Sequence, residues 1–178
     1  MGAAVNPLPG GEIVSALDRG LLDAAEFNNA TSDRVLGFPD VAKNCMLQSF
    51  HQASENFEIL FNKTKYSTLS PELKSIIDYA VQASSADMSW KAIDRYSTDY
   101  AEMKAKQGVK FFKTPNAILQ AQLKSWDKVV AKKEADNPTF KKVNASMKAF
   151  AQRACAWQND TLVDYKMAYN HFFSGKKG

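Results

Sequence analysis

The chain has 178 residues, 45% of them hydrophobic and 24% charged, which suits one globular domain or one large piece of a two-lobed protein and excludes a disordered chain. Net charge is +4, but Lys and Arg alternate with Asp and Glu, and even the stretch from Lys132 to Lys142 contains Glu134 and Asp136. This pattern reads as solvated helix faces, so no nucleic-acid partner is expected.

Ala3 to Leu8 reads as a short buried strand running into the Pro9-Gly10-Gly11 turn. Glu12 to Arg19 fits a short helix, with Ile13, Ala16 and Leu17 on one face and Gly20 placed for a C-terminal cap. Leu21 to Phe27 is a second strand candidate, and a short helix is predicted around Ser32 to Leu36, ahead of Gly37 and Pro39. Ala42 to Leu47 and Phe57 to Asn62 are two further extended runs.

From Ser70 the period changes. Ser70 suits an N-cap, Pro71 the first helical position and Glu72 the helix dipole. Leu73, Ile76, Ile77, Ala80, Val81, Ser84, Met88, Ala92, Tyr96, Tyr100 and Met103 then recur at helical steps, without Gly or Pro before Gly108. One helix of roughly 50 Å is predicted, longer than a small lobe needs and suited to spanning two bodies. Val109 to Lys113 reads as a strand. Thr114-Pro115 and Asn137-Pro138 open two more helices, and Asn159 or Asp160 is expected to cap a last one carrying Leu162, Tyr165, Tyr169 and Phe172. Their Met and aromatic stripes read as core or partner-helix contacts.

Catalytic signals are weak: there is no G-x-S-x-G, no phosphate-cradling loop and no H-E-x-x-H. His51 and Glu55 stand four apart but between two extended runs, and with His171 the only other histidine, a histidine-rich metal site is not expected. Cys45 and Cys155 belong to no C-x-x-C pair and read as two buried thiols, a single disulfide being the alternative. No apolar run reaches membrane-spanning length. The start, Met1-Gly2-Ala3-Ala4-Val5-Asn6-Pro7, lacks a leader's charged and apolar regions, so by itself it reads as cytoplasmic, although a piece of a longer protein gives the same absence.

One constellation stands apart. Glu26 ends the otherwise apolar Leu21-Leu22-Asp23-Ala24-Ala25 run, with Phe27 after it, and a carboxylate at the end of a buried strand is costly unless paired. Gln52 ends the next extended stretch. A carboxylate, an amide oxygen and a main-chain carbonyl suit a hard cation such as calcium or sodium; a lysine or backbone N–H beside Glu26 is the plainer alternative.

The run Leu8-Pro9-Gly10-Gly11-Glu12-Ile13-Val14-Ser15-Ala16-Leu17-Asp18-Arg19-Gly20, followed by Leu22-Asp23-Ala24-Ala25-Glu26-Phe27, resembles the signature segment of the binding proteins of tripartite ATP-independent periplasmic (TRAP) transporters. Phe50-His51-Gln52, Phe57-Glu58-Ile59-Leu60-Phe61-Asn62-Lys63 and Leu69-Ser70-Pro71-Glu72-Leu73 continue the resemblance in order, over about Val5 to Phe173. The branch it resembles handles 2-oxo acids, lactate and related monocarboxylates, and is also described as mannitol/chloroaromatic transport.

The resemblance implies an α/β fold of the periplasmic binding-protein type, present as its C-terminal half. Residues 1–69 would form a partial lobe with cleft residues, 70–107 the long connecting helix, and 108–178 a strand and helices packing on the lobes or on a dimer partner. It implies a periplasmic receptor that is not an enzyme, capturing a small organic acid with a bridging calcium or sodium ion and passing it to a membrane permease. Glu26 would offer its side chain and Phe27 its main-chain carbonyl. Phe27 stands where the family commonly has Trp, so the carbonyl and ring remain and the indole N–H is lost. Gln52 falls on a second acidic ligand of the family, and one negative charge fewer weakens calcium more than sodium. The family's leader, first lobe and carboxylate-clamping arginine have no counterpart in this chain. A helical interaction module working through its aromatic stripe is the alternative reading.

Overall fold

In a computed structural model of the protein, which describes residues 1–51 and 57–175, the chain divides into two compact units, Met1–Gln122 and Leu123–Gly178. The first unit opens without the strand expected at Ala3–Leu8, where no ladder forms. Helix α1 spans Gly10–Asp18 and buries Ile13 and Ala16. Gly20, at φ +70°, ends it: its N–H reaches Leu17 O at 3.0 Å and that of Leu21 reaches Ala16 O at 2.9 Å.

Leu21–Phe27 is the second departure from the sequence reading. Instead of a strand it is an irregular segment, and Leu21 is largely exposed. An apolar run becomes a strand only with an edge to pair with, and no described segment supplies one here. The same holds for Phe57–Asn62, which also has no ladder. Helix α2, Ala30–Leu36, is capped by Asn29, whose side chain accepts from the N–H groups of Thr31 and Ser32, and it stops at Gly37 with φ +89°. The one-turn helices α3, Phe38–Val41, and α4, Lys63–Ser67, were not expected from periodicity; segments of this length carry too little of it.

Two predicted strands do form. β1, Asn44–Leu47, and β2, Lys110–Lys113, pair in parallel, with Asn44 opposite Lys110 and Leu47 opposite Lys113. A parallel pair requires a long crossover, and α5 supplies most of it. α5 is continuous over Pro71–Lys106, 36 residues and so about 54 Å. Ser70 caps it by accepting from Leu73 N at 3.2 Å. Near its C-terminal end Met103 is buried, as is Val109, whose N–H donates to Met103 O at 3.1 Å, and Tyr100 meets Phe111 of β2 with ring centroids 4.5 Å apart. At the start of α5 the stripe read as core is open instead, with Leu73 and Ile76 exposed.

Asp99 holds α2 to α5. Its carboxylate is 2% exposed and accepts from Thr31 Oγ1 at 2.6 Å, Arg34 Nη1 at 2.6 Å and Arg95 Nε at 3.0 Å. The Thr31 hydroxyl, followed by the two guanidinium groups, holds the Asp99 carboxyl below its usual range despite burial.

Helix α6, Asn116–Asp136, runs from the first unit into the second. In the second unit α7 spans Pro138–Thr161, capped by Asn137, and α8 spans Tyr165–Phe173. The last helix therefore starts at an Asp164 cap, later than the expected Asn159 or Asp160, which lie inside α7. The side-chain amide of Asn144 donates to Glu134, and Val130 is buried nearby in sequence. Cys45 is half-buried and Cys155 exposed, both as free thiols, which corrects the expectation of two buried ones.

Candidate functional site

An open cleft of about 1390 Å³ lies wholly within the first unit. Glu26, Phe27, Asp33, Cys45 and His51 line one part of it, and Met88 and Tyr96 of α5 another. Two of the three site residues expected from sequence, Glu26 and Phe27, thus stand on the cleft, whereas Gln52 lies outside the described residues. Glu26 is not the buried strand-end carboxylate anticipated: its segment is irregular and its side chain is 61% exposed. Exposure lowers the cost of its charge and leaves the oxygens open to the cleft.

Phe27 is held by shape. Its ring stacks on Phe38 with centroids 6.0 Å apart, and it lies close to Gly10, where an added Cβ would be 2.7 Å from the ring edge. Gly10 is in the first turn of α1, so the bare backbone serves close approach and not unusual torsion. This seat fixes the backbone at the residue next to Glu26.

The opposite loop is fixed by hydrogen bonds. Thr114, buried after β2, donates its N–H to Leu47 O at 2.9 Å and its hydroxyl to Leu47 O and Gln48 O at 2.8 and 2.6 Å. The chain then turns through Gln48 at φ +84°, a left-handed conformation unusual outside glycine. Ser49 follows, and its Oγ accepts from the His51 N–H at 3.2 Å and from Gln122 Nε2 at 2.8 Å; Gln122 Oε1 accepts from Phe50 N at 3.3 Å. His51 Nδ1 lies 2.7 Å from Ser49 Oγ, and its Nε2 faces Glu26 Oε1 at 3.8 Å.

Asp33 is another carboxyl lining the cleft. Burial pushes it up to about 6, the charge of Glu26 adds to the rise, and the Asn28 N–H at 3.3 Å opposes it. Burial, and then the charge of Asp33, pushes the Cys45 thiol up, which disfavours the thiolate. Neither Asp33 nor the Ser49–Gln122 clamp was foreseen from sequence, where each is an ordinary polar residue. In the sequence His51 stands four residues from Glu55 and within the Phe50-His51-Gln52 motif, and neither setting marks it as a cleft residue.

The described donors suit a hard cation: one open carboxylate and, beside it, the main-chain carbonyl of Phe27. Among the described residues no group of three or more His, Cys, Asp or Glu side chains could hold a metal. A cation here would therefore draw the rest of its six to eight oxygens from outside these two residues.

A parallel βαβ element with a cleft over the strand ends is the frame of an α/β binding lobe. Residues 1–137 match the bacterial extracellular solute-binding protein family 7 (DctP), and the chain belongs to that family. It is 27% identical over 169 residues to a monocarboxylate 2-oxoacid-binding periplasmic protein of Nostoc, covering 93% of this chain and 45% of that one. Its fold matches a TRAP periplasmic solute-binding protein from Colwellia psychrerythraea, solved with calcium and pyruvate, at TM-score 0.82 and 23% identity, over 97% of this chain and 51% of that one. A second such protein, from Pseudoalteromonas atlantica with sodium and pyruvate, matches at TM-score 0.81 and 22% identity, over 97% of this chain and 51% of that one. The chain thus spans about half the length of these relatives.

Proposed function

We propose that this chain is the cleft-bearing second half of a periplasmic TRAP solute receptor. The receptor captures a small monocarboxylate, such as a 2-oxo acid or lactate, with a bridging calcium or sodium ion and delivers it to a membrane permease without chemically changing it. The observation that carries the reading is Glu26, with an open carboxylate on the cleft, next to a Phe27 backbone locked by Gly10 and Phe38. The solutes and ions of the two structural relatives support it. Glu26 and the Phe27 carbonyl hold the cation, which supplies positive charge for the solute's carboxylate; Gln52 is the proposed third donor. Residues 1–69 contribute the cleft wall of one lobe, 70–107 form the helix shared by both lobes, and 108–178 complete the packing. The exposed aromatic faces of α7 and α8 are proposed to meet a second copy of the chain.

The test is calorimetry on the full-length polypeptide with pyruvate and calcium or sodium, for wild type and Glu26→Ala. Cation-dependent pyruvate binding that disappears in the variant supports the reading. Equal binding by the variant removes Glu26 from the site, and no binding by either protein refutes the receptor assignment for this solute class.

A further inference from the structure

The Ser49 hydroxyl has two lone pairs, and both are engaged, by the His51 N–H and by Gln122 Nε2. Its own hydrogen is left for the atom at 2.7 Å, His51 Nδ1, which must then accept. A neutral imidazole accepting at Nδ1 carries its proton on Nε2, the nitrogen that faces Glu26 across the cleft. At 3.8 Å, Glu26 Oε1 is too far to take that hydrogen as a normal hydrogen bond. The ring is half-exposed on the cleft side. Its loop is anchored twice, by Thr114 on the backbone of Leu47 and Gln48 and by Gln122 on Ser49 and Phe50. The left-handed turn at Gln48 lies between these anchors, as expected where surrounding bonds over-determine a strained residue.

We infer that His51 is a solute-binding residue, presenting a preset Nε2–H as a hydrogen-bond donor to an oxygen of the bound carboxylic acid, with Ser49 and Gln122 fixing the ring. This rests on the receptor reading above and adds a contact that Glu26 and Phe27 cannot make, since both offer only oxygen acceptors to the cleft. A donor beside a carboxylate favours an oxyanion or keto oxygen over an amine, which would find Glu26 alone.

The test separates solute from cation. Pyruvate affinity at saturating calcium, and calcium affinity without pyruvate, are measured by calorimetry on the full-length polypeptide for wild type, His51→Phe, His51→Gln and Ser49→Ala. The inference expects His51→Phe to lose about tenfold in pyruvate affinity, the scale of one well-placed hydrogen bond, with calcium affinity unchanged. His51→Gln, which keeps an N–H donor, recovers part of the loss, and Ser49→Ala loses less than His51→Phe because the imidazole remains but its tautomer is released. Unchanged pyruvate affinity in His51→Phe, or an equal loss of calcium and pyruvate binding, overturns the inference; thermal melting shows that each variant is folded. If wild type itself binds no pyruvate with calcium, the receptor reading fails first.

Discussion

Arg34 and Asp99, 65 residues apart in the chain, form a 2.6 Å ion pair in which Asp99 is 2% exposed and Arg34 33% exposed. Arg34 also pairs with Glu102, one turn further along α5, and Thr31 donates to the same Asp99 carboxylate. A charge this deeply enclosed is tolerated because three donors replace its lost water. The pair sets where α2 stands against α5, and the cleft-lining residues Asn29, Ala30 and Asp33 stand with it.

Asp99→Ala is expected to destabilise the protein by about 2 kcal/mol, since it removes the shared acceptor of Thr31, Arg34 and Arg95, while Arg34 keeps Glu102 and Arg95 keeps its water. Denaturant titration checks this. Arg95→Ala should cost far less, because its side chain is 64% exposed and pairs with the next turn of the same helix.

Asp99 and the half-buried Asp33 predict opposite responses to pH. The folded state lowers Asp99, so its contribution is present above the unfolded value of 3.8 and lost as pH falls through its lower folded value. The folded state raises Asp33 to about 6, so its contribution is present below 3.8 and lost as pH rises through 6. Asp33→Asn, which can still accept from Asn28 N, should therefore melt higher than wild type above pH 6, with the gain vanishing below 3.8. Melting curves across that window, without solute or added cation, decide it.

Gly10→Ala should weaken the cation site while leaving the fold intact. The new Cβ would meet the Phe27 ring at 2.7 Å, and Phe38 blocks retreat on one side. A shift of the Phe27 backbone misplaces its carbonyl, and calcium affinity is expected to fall about tenfold, as for other groups that orient a ligand. Adding Phe27→Leu, which shortens the offending side chain, should recover part of the loss. Calcium titrations of the single and double variants measure both steps.

Gln48 occupies a left-handed turn, at φ +84°. Gln48→Gly should be neutral or mildly stabilising, whereas Gln48→Val, β-branched at a positive φ, should cost about 1–3 kcal/mol. Chemical denaturation distinguishes the two.

Local signals were legible where the chain closes its own hydrogen bonds. Gly20 as the end of α1, Ser70 with Pro71 as the start of α5, and the uninterrupted step from Leu73 to Met103 each reflect interactions within a few residues. Glu26 and Phe27 were legible through a family motif, and both stand on the cleft.

Partnership across distance was not written in the chain in the same way. Leu21–Phe27 and Phe57–Asn62 have strand-like composition, yet a strand exists only where another backbone accepts its hydrogen bonds, and among the described residues only Asn44–Leu47 and Lys110–Lys113 find each other. The tautomer of His51, the burial of Asp99 and the raised carboxyl of Asp33 depend on Ser49 with Gln122, on Thr31 with Arg34, and on the surrounding cleft wall. Sequence alone therefore determined which short segments could become helices and which motif carried the acid. The tertiary structure decided which polar groups lost water and what replaced it, because desolvation depends on neighbours that no local window contains.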